Sequence, residues 1–211
     1  EVQVRKWTSL SIKMRRRCSH TFQCSCAWEA KETEVDYGET LYPFINRDQV
    51  YGLNERKKGT AKNCIKAYAD RLDEKAVVKS MRNDSDLIIH VPFTAQVKLR
   101  SFSVIGGDEH SCPTTLKMWK NRDDIDFESA EDVSCTQKFE LTYDKDGSFQ
   151  YQVKRFKFQN VASLTLFFSR GDGESTQIDY LGFKGEGTKD KRQIVEAVYE
   201  ARALESDHKS F

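Results

Sequence analysis

The 211 residues suit one large domain, whose single core would bury roughly 70% of the unfolded surface. With 38% hydrophobic residues the chain can fold, yet the longest uncharged run, 158–169, falls far short of the roughly 18 apolar residues of a membrane helix, so a membrane-spanning helix is excluded. A net charge of +1 excludes general attraction to nucleic acid or anionic lipid and leaves only local patches for electrostatic partners.

The first such patch opens the chain. Arg5, Lys6, Lys13, Arg15, Arg16 and Arg17 against Glu1 give residues 1–17 a charge of +5, so the remainder carries −4 against the whole chain's +1. The basic cluster follows only a modestly apolar WTSLSIKM, whereas a secretory leader needs about 7–15 apolar residues, so export is not expected. Met14 is read as the natural start, with residues 1–13 an extension. Cys18, His20, Cys24 and Cys26 then form C-x-H-x3-C-x-C, a weak zinc candidate, because structural zinc sites pair C-x2-4-C knuckles and no second knuckle follows. The preferred reading is a flexible, basic, Cys-containing segment over residues 1–40, dispensable for folding and without metal or other cofactor. The six cysteines are too dispersed for a disulfide framework, which points to reduced thiols and a cytoplasmic and nuclear protein.

A domain over 41–200 follows, with apolar residues at period 2. Residues 46–53 suit a helical turn or two. Leu87, Ile89, Val91 and Phe93 alternate with Ile88, His90 and Pro92, which sets His90 opposite the apolar stripe as a partly exposed or satisfied structural residue. Strands are expected over 96–105, 115–120, 139–143, 149–153, 163–169, 177–184 and 193–200, with one short helix over 124–133. Turns are expected at Asn83-Asp84, Gly106-Gly107-Asp108, Asp146-Gly147, Gly171-Asp172-Gly173 and Gly185-Glu186-Gly187, of which Asp146-Gly147 is the clearest hairpin. Eight or so short strands without alternating helices predict an all-β fold, an antiparallel sandwich or barrel. Residues 201–211 lose the alternation and read as a mobile C-terminal tail.

The residue types of an enzyme are not assembled. No CxxC, G-x-S-x-G or P-loop occurs, and His20, His90, His110 and His208 are scattered without a nucleophile and acid in register. Asp108, Glu109, His110 and Cys112 read as a polar loop, and the acids between Asp123 and Asp132, which do not follow the calcium-loop order, as a solvated face.

At Leu53-Asn54-Glu55, at 86–100 (DLIIHVPFTAQVKLR), 116–121 (LKMWKN), 158–169 (FQNVASLTLFFS), 178–188 (IDYLGFKGEGT) and 198–209 (VYEARALESDHK), the chain resembles the PITH domain family, in the stand-alone type that lacks a thioredoxin domain. The resemblance implies an antiparallel jelly-roll β-sandwich, galactose-binding-like, with little helix. It also implies a non-catalytic interaction module, monomeric outside its complex, that docks on the 26S proteasome regulatory particle and modulates it. His208 and Phe211 on the tail are the expected partner-binding residues, aimed at the particle's zinc-dependent deubiquitinase. The alternative is a lectin-like jelly roll binding a carbohydrate or other small ligand, with Trp119, Asn121 and Asp123 as its pocket.

Overall fold

The alternation that begins at Leu87 does not stop at Pro92. In a computed structural model that describes residues 37–171 and 175–191, Leu87–Gly106 is one strand of 20 residues. In chain order the strands among the described residues are β1 (Glu39–Thr40), β2 (Tyr51–Leu53), β3 (Val78–Lys79), β4 (Leu87–Gly106), β5 (Thr115–Lys120), β6 (Gln137–Glu140), β7 (Tyr151–Gln152), β8 (Val161–Ser169) and β9 (Gln177–Lys191), and the α-helix among them is α1 (Phe127–Asp132). Met14, Cys18, His20, Cys24, Cys26, the expected strand 193–200, and the tail with His208 and Phe211 lie outside the described residues.

β4 serves two ladders. Its first half pairs antiparallel with β8 from Leu87↔Phe168 to Pro92↔Ser163, and with β2 on the other side at 88–90. The register shifts between Pro92 and Val97, and from there to Gly106 the strand pairs with β9 and, at Ser101 and Phe102, with β7. Proline has no N–H for a ladder, and a bulge bends its strand, so the irregularity falls where the partner changes. β5 and β6 extend the first layer beyond β8, while β1 and β3 both pair β9 in the second. All pairings are antiparallel, and the fold is the expected jelly-roll sandwich with little helix.

The period of 2 decides what each face buries. Leu87, Ile89 and Val91 of β4, Leu164, Leu166 and Phe168 of β8, and Leu116 and Met118 of β5 turn inward. They meet Phe102, Val104, Leu181 and Phe183 from the second layer in one core. Phe102 lies there between the ring of Phe139, edge-on at 4.8 Å, and that of Tyr151, stacked at 5.1 Å. The opposite face of the first layer is also covered, since Ile88, Trp119 and Phe167 pack with Ile125 and Ala130 in a satellite cluster under α1. That helix begins where Asp126 Oδ1 accepts the backbone N–H of Ser129 at 2.8 Å and Ser129 Oγ accepts that of Asp126 at 2.8 Å, a reciprocal cap.

Three expectations need correction. Residues 46–53 form only a single 3-10 turn, Arg47–Gln49, before entering β2. The segments around Asp146-Gly147 do not pair with each other as a hairpin, because β6 pairs β5 and β7 pairs β4. The carboxylate of Asp144 instead accepts the backbone N–H groups of Asp146, Gly147 and Phe149 at 3.1, 3.0 and 2.7 Å, and the Tyr151 hydroxyl accepts that of Thr142 at 2.9 Å, so side chains take the bonds a hairpin ladder would have used. Gly185-Glu186-Gly187 is not a turn but the middle of β9, paired with Leu99, Lys98 and Val97. There the glycines admit close neighbours: a β-carbon on Gly185 would overlap the carbonyl oxygen of Lys98, and one on Gly187 the ring of Phe44.

Candidate functional site

The end of the sandwich where β4 finishes and β9 starts carries a cleft of about 530 Å³. Four stretches of chain line it: Arg71 to Lys79, Ile105 to Asp108, Tyr143 to Asp146, and Gln177 with Asp179. Arg71 ties two of them, its Nε donating to Asp146 O at 3.0 Å while its guanidinium lies over the Tyr68 ring at 4.2 Å. Gly107 N donates to Gln177 O at 3.2 Å, and a β-carbon on Gly107 would press on the Gln177 amide, so the second wall meets the fourth closely here.

The chemistry at the cleft is polar and of both signs. Asp179 is buried, and Gln177 Nε2 donates to its Oδ1 at 2.6 Å. Burial raises the Asp179 carboxyl above its ordinary value; the Gln177 bond and the charges of Lys66 and Lys79 pull it back, and Glu74 adds to the rise. Around it Glu74, Lys79, Asp108 and Lys145 supply charge, and Tyr143 an aromatic edge. Such a site suits hydrogen-bonded recognition of a polar group.

The loop that carries Tyr143 is built for display. Asp144 is buried and committed to three backbone N–H groups, while Tyr143 on one side of it is 41% exposed and Phe149 on the other is 50% exposed. A buried carboxylate thus fixes a loop that holds two aromatic side chains toward water.

The sequence-derived candidates separate. His90 is buried, its Nδ1 3.0 Å from Thr165 Oγ1 and its ring stacked on Tyr51 at 4.9 Å; burial lowers its pKa, opposed by Asp123. It is a satisfied structural residue. Asp108, Glu109, His110 and Cys112 share a backbone-built loop, in which Ser111 N and Cys112 N donate to Asp108 O and Arg170 Nη1 to Glu109 O, while the Cys112 thiol is buried. Among the described residues no three His, Cys, Asp or Glu side chains gather as metal ligands. The lectin-like trio is corrected: Trp119 is only 2% exposed, inside the satellite cluster, and offers no stacking platform. Asn121, at φ +55°, gives its amide to Asn160 O at 3.1 Å and accepts Ala162 N at 2.7 Å, a turn role rather than a ligand role.

The cleft was not foreseen because its walls are far apart in sequence. The available signal was Asp144-Lys145-Asp146-Gly147 between Tyr143 and Phe149, a run of turn formers between aromatics, which the period of 2 absorbed into two strands.

Comparisons with known proteins follow the same lines. A family model described as the PITH domain matches residues 31–203. PITH domain-containing protein 1 of Dictyostelium discoideum is 35% identical over 189 residues, covering 89% of this chain and 93% of the relative. The human protein of that name is 32% identical over 190 residues, covering 88% and 89%, and PITH domain-containing protein CG6153 of Drosophila melanogaster is 36% identical over 194 residues, covering 91% and 89%. Similar solved structures include CBM32-3 from a family 31 glycoside hydrolase of Clostridium perfringens, at TM-score 0.47 and 14% identity over 68% of this chain and 96% of that one. Another is CpGH89CBM32-5 from the same organism, in complex with GalNAc-beta-1,3-galactose, at TM-score 0.48 and 13% identity over 69% and 99%.

Proposed function

The chain belongs to the PITH domain family, and we propose that it is a non-catalytic protein-interaction module of the cytoplasm and nucleus that docks on the 26S proteasome regulatory particle and modulates it. The observation that carries the interaction role is the loop held by Asp144, which keeps Tyr143 and Phe149 in water at the end of the sandwich. Rigid exposed aromatics contribute large contact area at small entropic cost on binding, and they are over-represented among residues that dominate interfaces. The regulatory particle as partner rests on the family resemblance, and the compartments accord with the unpaired Cys64, Cys112 and Cys135.

The test is affinity purification with the full chain from native extract at moderate salt. Regulatory-particle subunits should be recovered in fixed proportion, and the pair Tyr143→Ser, Phe149→Ser should lower recovery at least about tenfold. No recovery by the unaltered chain overturns the partner. Three further proteins, a chain ending at Glu200, a full chain with His208→Ala and a full chain with Phe211→Ala, divide binding between sandwich and tail: equal recovery by all assigns it to the sandwich.

A second reading, a sandwich that binds a carbohydrate or other small polar ligand, is favoured by the cleft, where Asp179, Gln177 and Lys79 converge beside Tyr143. Titration with simple sugars followed by Asp179→Ala separates it from the first, since only a cleft ligand loses affinity in that variant.

A further inference from the structure

The turn between β7 and β8 holds Phe156 in water. Phe156 is 76% exposed, while Phe158 two residues later is fully buried. The turn is well tied. Lys157 N donates to Lys154 O at 2.8 Å, Lys154 N to Gln137 Oε1 at 2.9 Å, Gln159 Nε2 to Arg155 O at 2.9 Å, Lys157 Nζ to Thr136 O at 2.7 Å and Leu99 N to Phe158 O at 3.1 Å. A backbone so constrained presents one apolar ring at a fixed place, the preorganised anchor that lowers the cost of binding.

Basic residues flank that ring in the chain. Lys154 and Arg155 precede it, Lys157 follows it, and Arg155 also lines a groove of about 250 Å³ with Lys98, Leu99, Arg100, Gln159 and Glu186. Glu186 is the acid among them, and it is engaged by Arg100 and by Lys98, the latter at 3.6 Å. This basic edge stands on a body that carries −4 outside its first 17 residues.

We propose that the 154–159 turn and the groove beside it are a docking surface for an acidic segment of a partner protein, which buries Phe156 in an apolar pocket and lays carboxylates along Arg155, Lys98 and Arg100. Guanidinium groups suit carboxylates through paired hydrogen bonds. A lipid surface or a nucleic acid is the poorer match, because an extended anionic surface brings its charge against a body of net −4 beyond residue 17, while a short peptide segment addresses the patch alone. The inference rests on the interaction-module reading and names a face and a partner chemistry for it.

The experiment places p-benzoyl-phenylalanine at position 156 of the full chain, and separately at position 149 as a second surface, irradiates each in native extract, and maps the cross-linked peptides by mass spectrometry. Position 156 should give a dominant protein adduct whose cross-linked region is net acidic. That adduct should fall at least about tenfold with Lys154→Glu and Arg155→Glu together, and should weaken as salt rises, while adducts from position 149 persist. An unchanged melting temperature shows that the pair still folds; should the pair unfold, the salt series on the unaltered sequence decides alone. Adducts to lipid or nucleic acid, to neutral or basic regions, insensitive to charge and salt, or no adduct at all, overturn the proposal. An acidic adduct from a protein outside the regulatory particle supports this surface only where it falls with the charge reversals and with salt, and it leaves the proteasome reading to the recovery experiment above. Regulatory-particle adducts from position 149 with none from position 156 support that reading and overturn this surface.

Discussion

The α-carbon of Gly185 in β9 lies against the carbonyl of Lys98 in β4 so closely that any β-carbon would overlap the oxygen. On its other side Gly185 faces Gly38, which has φ +80° and whose own β-carbon position lies 2.7 Å from the Gly185 α-carbon. Three stretches of backbone thus converge where side chains are excluded.

Gly185→Ala should therefore destabilise the fold by about 2–4 kcal/mol, because it is backbone, not a flexible side-chain tip, that must move. Gly171, with φ +82° but open space around it, gives the comparison: Gly171→Ala carries conformational strain alone and should cost about 1 kcal/mol. Urea unfolding of the two variants beside the parent checks the ranking, and equal losses would show the close approach to be unimportant.

The boundary at residue 41 cuts into the sandwich. β1 pairs Glu39 and Thr40 with β9, and Ser101 Oγ donates to Tyr37 O at 3.1 Å. A chain starting at Leu41 should be less stable than one starting at Asp36 by about 1–3 kcal/mol. Thermal unfolding of both, read by circular dichroism, gives the difference.

Burial holds His90 below its ordinary pKa of 6.5, with Asp123 opposing. The folded state binds this proton more weakly than the unfolded state does, so the contribution is complete above pH 6.5 and is lost as pH falls through the lower folded value. Melting temperature should be flat from neutral pH upward and decline on the acid side, and His90→Gln should make that decline shallower. Identical acid limbs in the two proteins would assign the loss to other groups.

Asp179 behaves in the opposite sense. Its carboxyl is raised above 3.8 by burial, so its contribution is present below that value and is lost as pH rises through the folded pKa. Asp179→Asn keeps a side-chain oxygen for the Gln177 amide and removes the charge. It should melt a few degrees higher than the parent at pH 7 and converge with it toward pH 4. A lower melting temperature at pH 7 would mean that Lys66 and Lys79 compensate the charge fully.

The Cys64 thiol is fully buried, donates to Ala61 O at 3.0 Å, and is pushed up to about 12 by burial. Thiolate is the reactive form, so alkylation of the folded protein at pH 8 should leave Cys64 unmodified while the more accessible Cys135 reacts. Site-resolved mass spectrometry before and after denaturation distinguishes the two positions.

Alternation at 87–93, 115–120, 163–169 and 177–184 was enough to determine an antiparallel all-β fold, because a period of 2 is a local property that each strand writes into its own residues. The ordered motifs from Leu53 to Lys209 likewise carried the family. Pairing partners are a different matter, since they depend on which segments meet and not on any one of them. Gly185-Glu186-Gly187 reads as a turn until Lys98 and Phe44 press against it, and Asp146-Gly147 reads as a hairpin until Asp144 takes its N–H groups. Trp119 could be a sugar platform in the sequence and is core in the structure, because Ile125 and Ala130, placed by the cap at Asp126, cover a face that alternation alone would leave to solvent. The same holds for the cleft and the basic turn. Asp179 gathers Lys79, Asp108 and Tyr143, and Arg155 joins Lys98, Arg100 and Glu186, because β4 shifts register between Pro92 and Val97 and gives its second half to β9, a choice made by packing between layers that no single stretch of sequence contains.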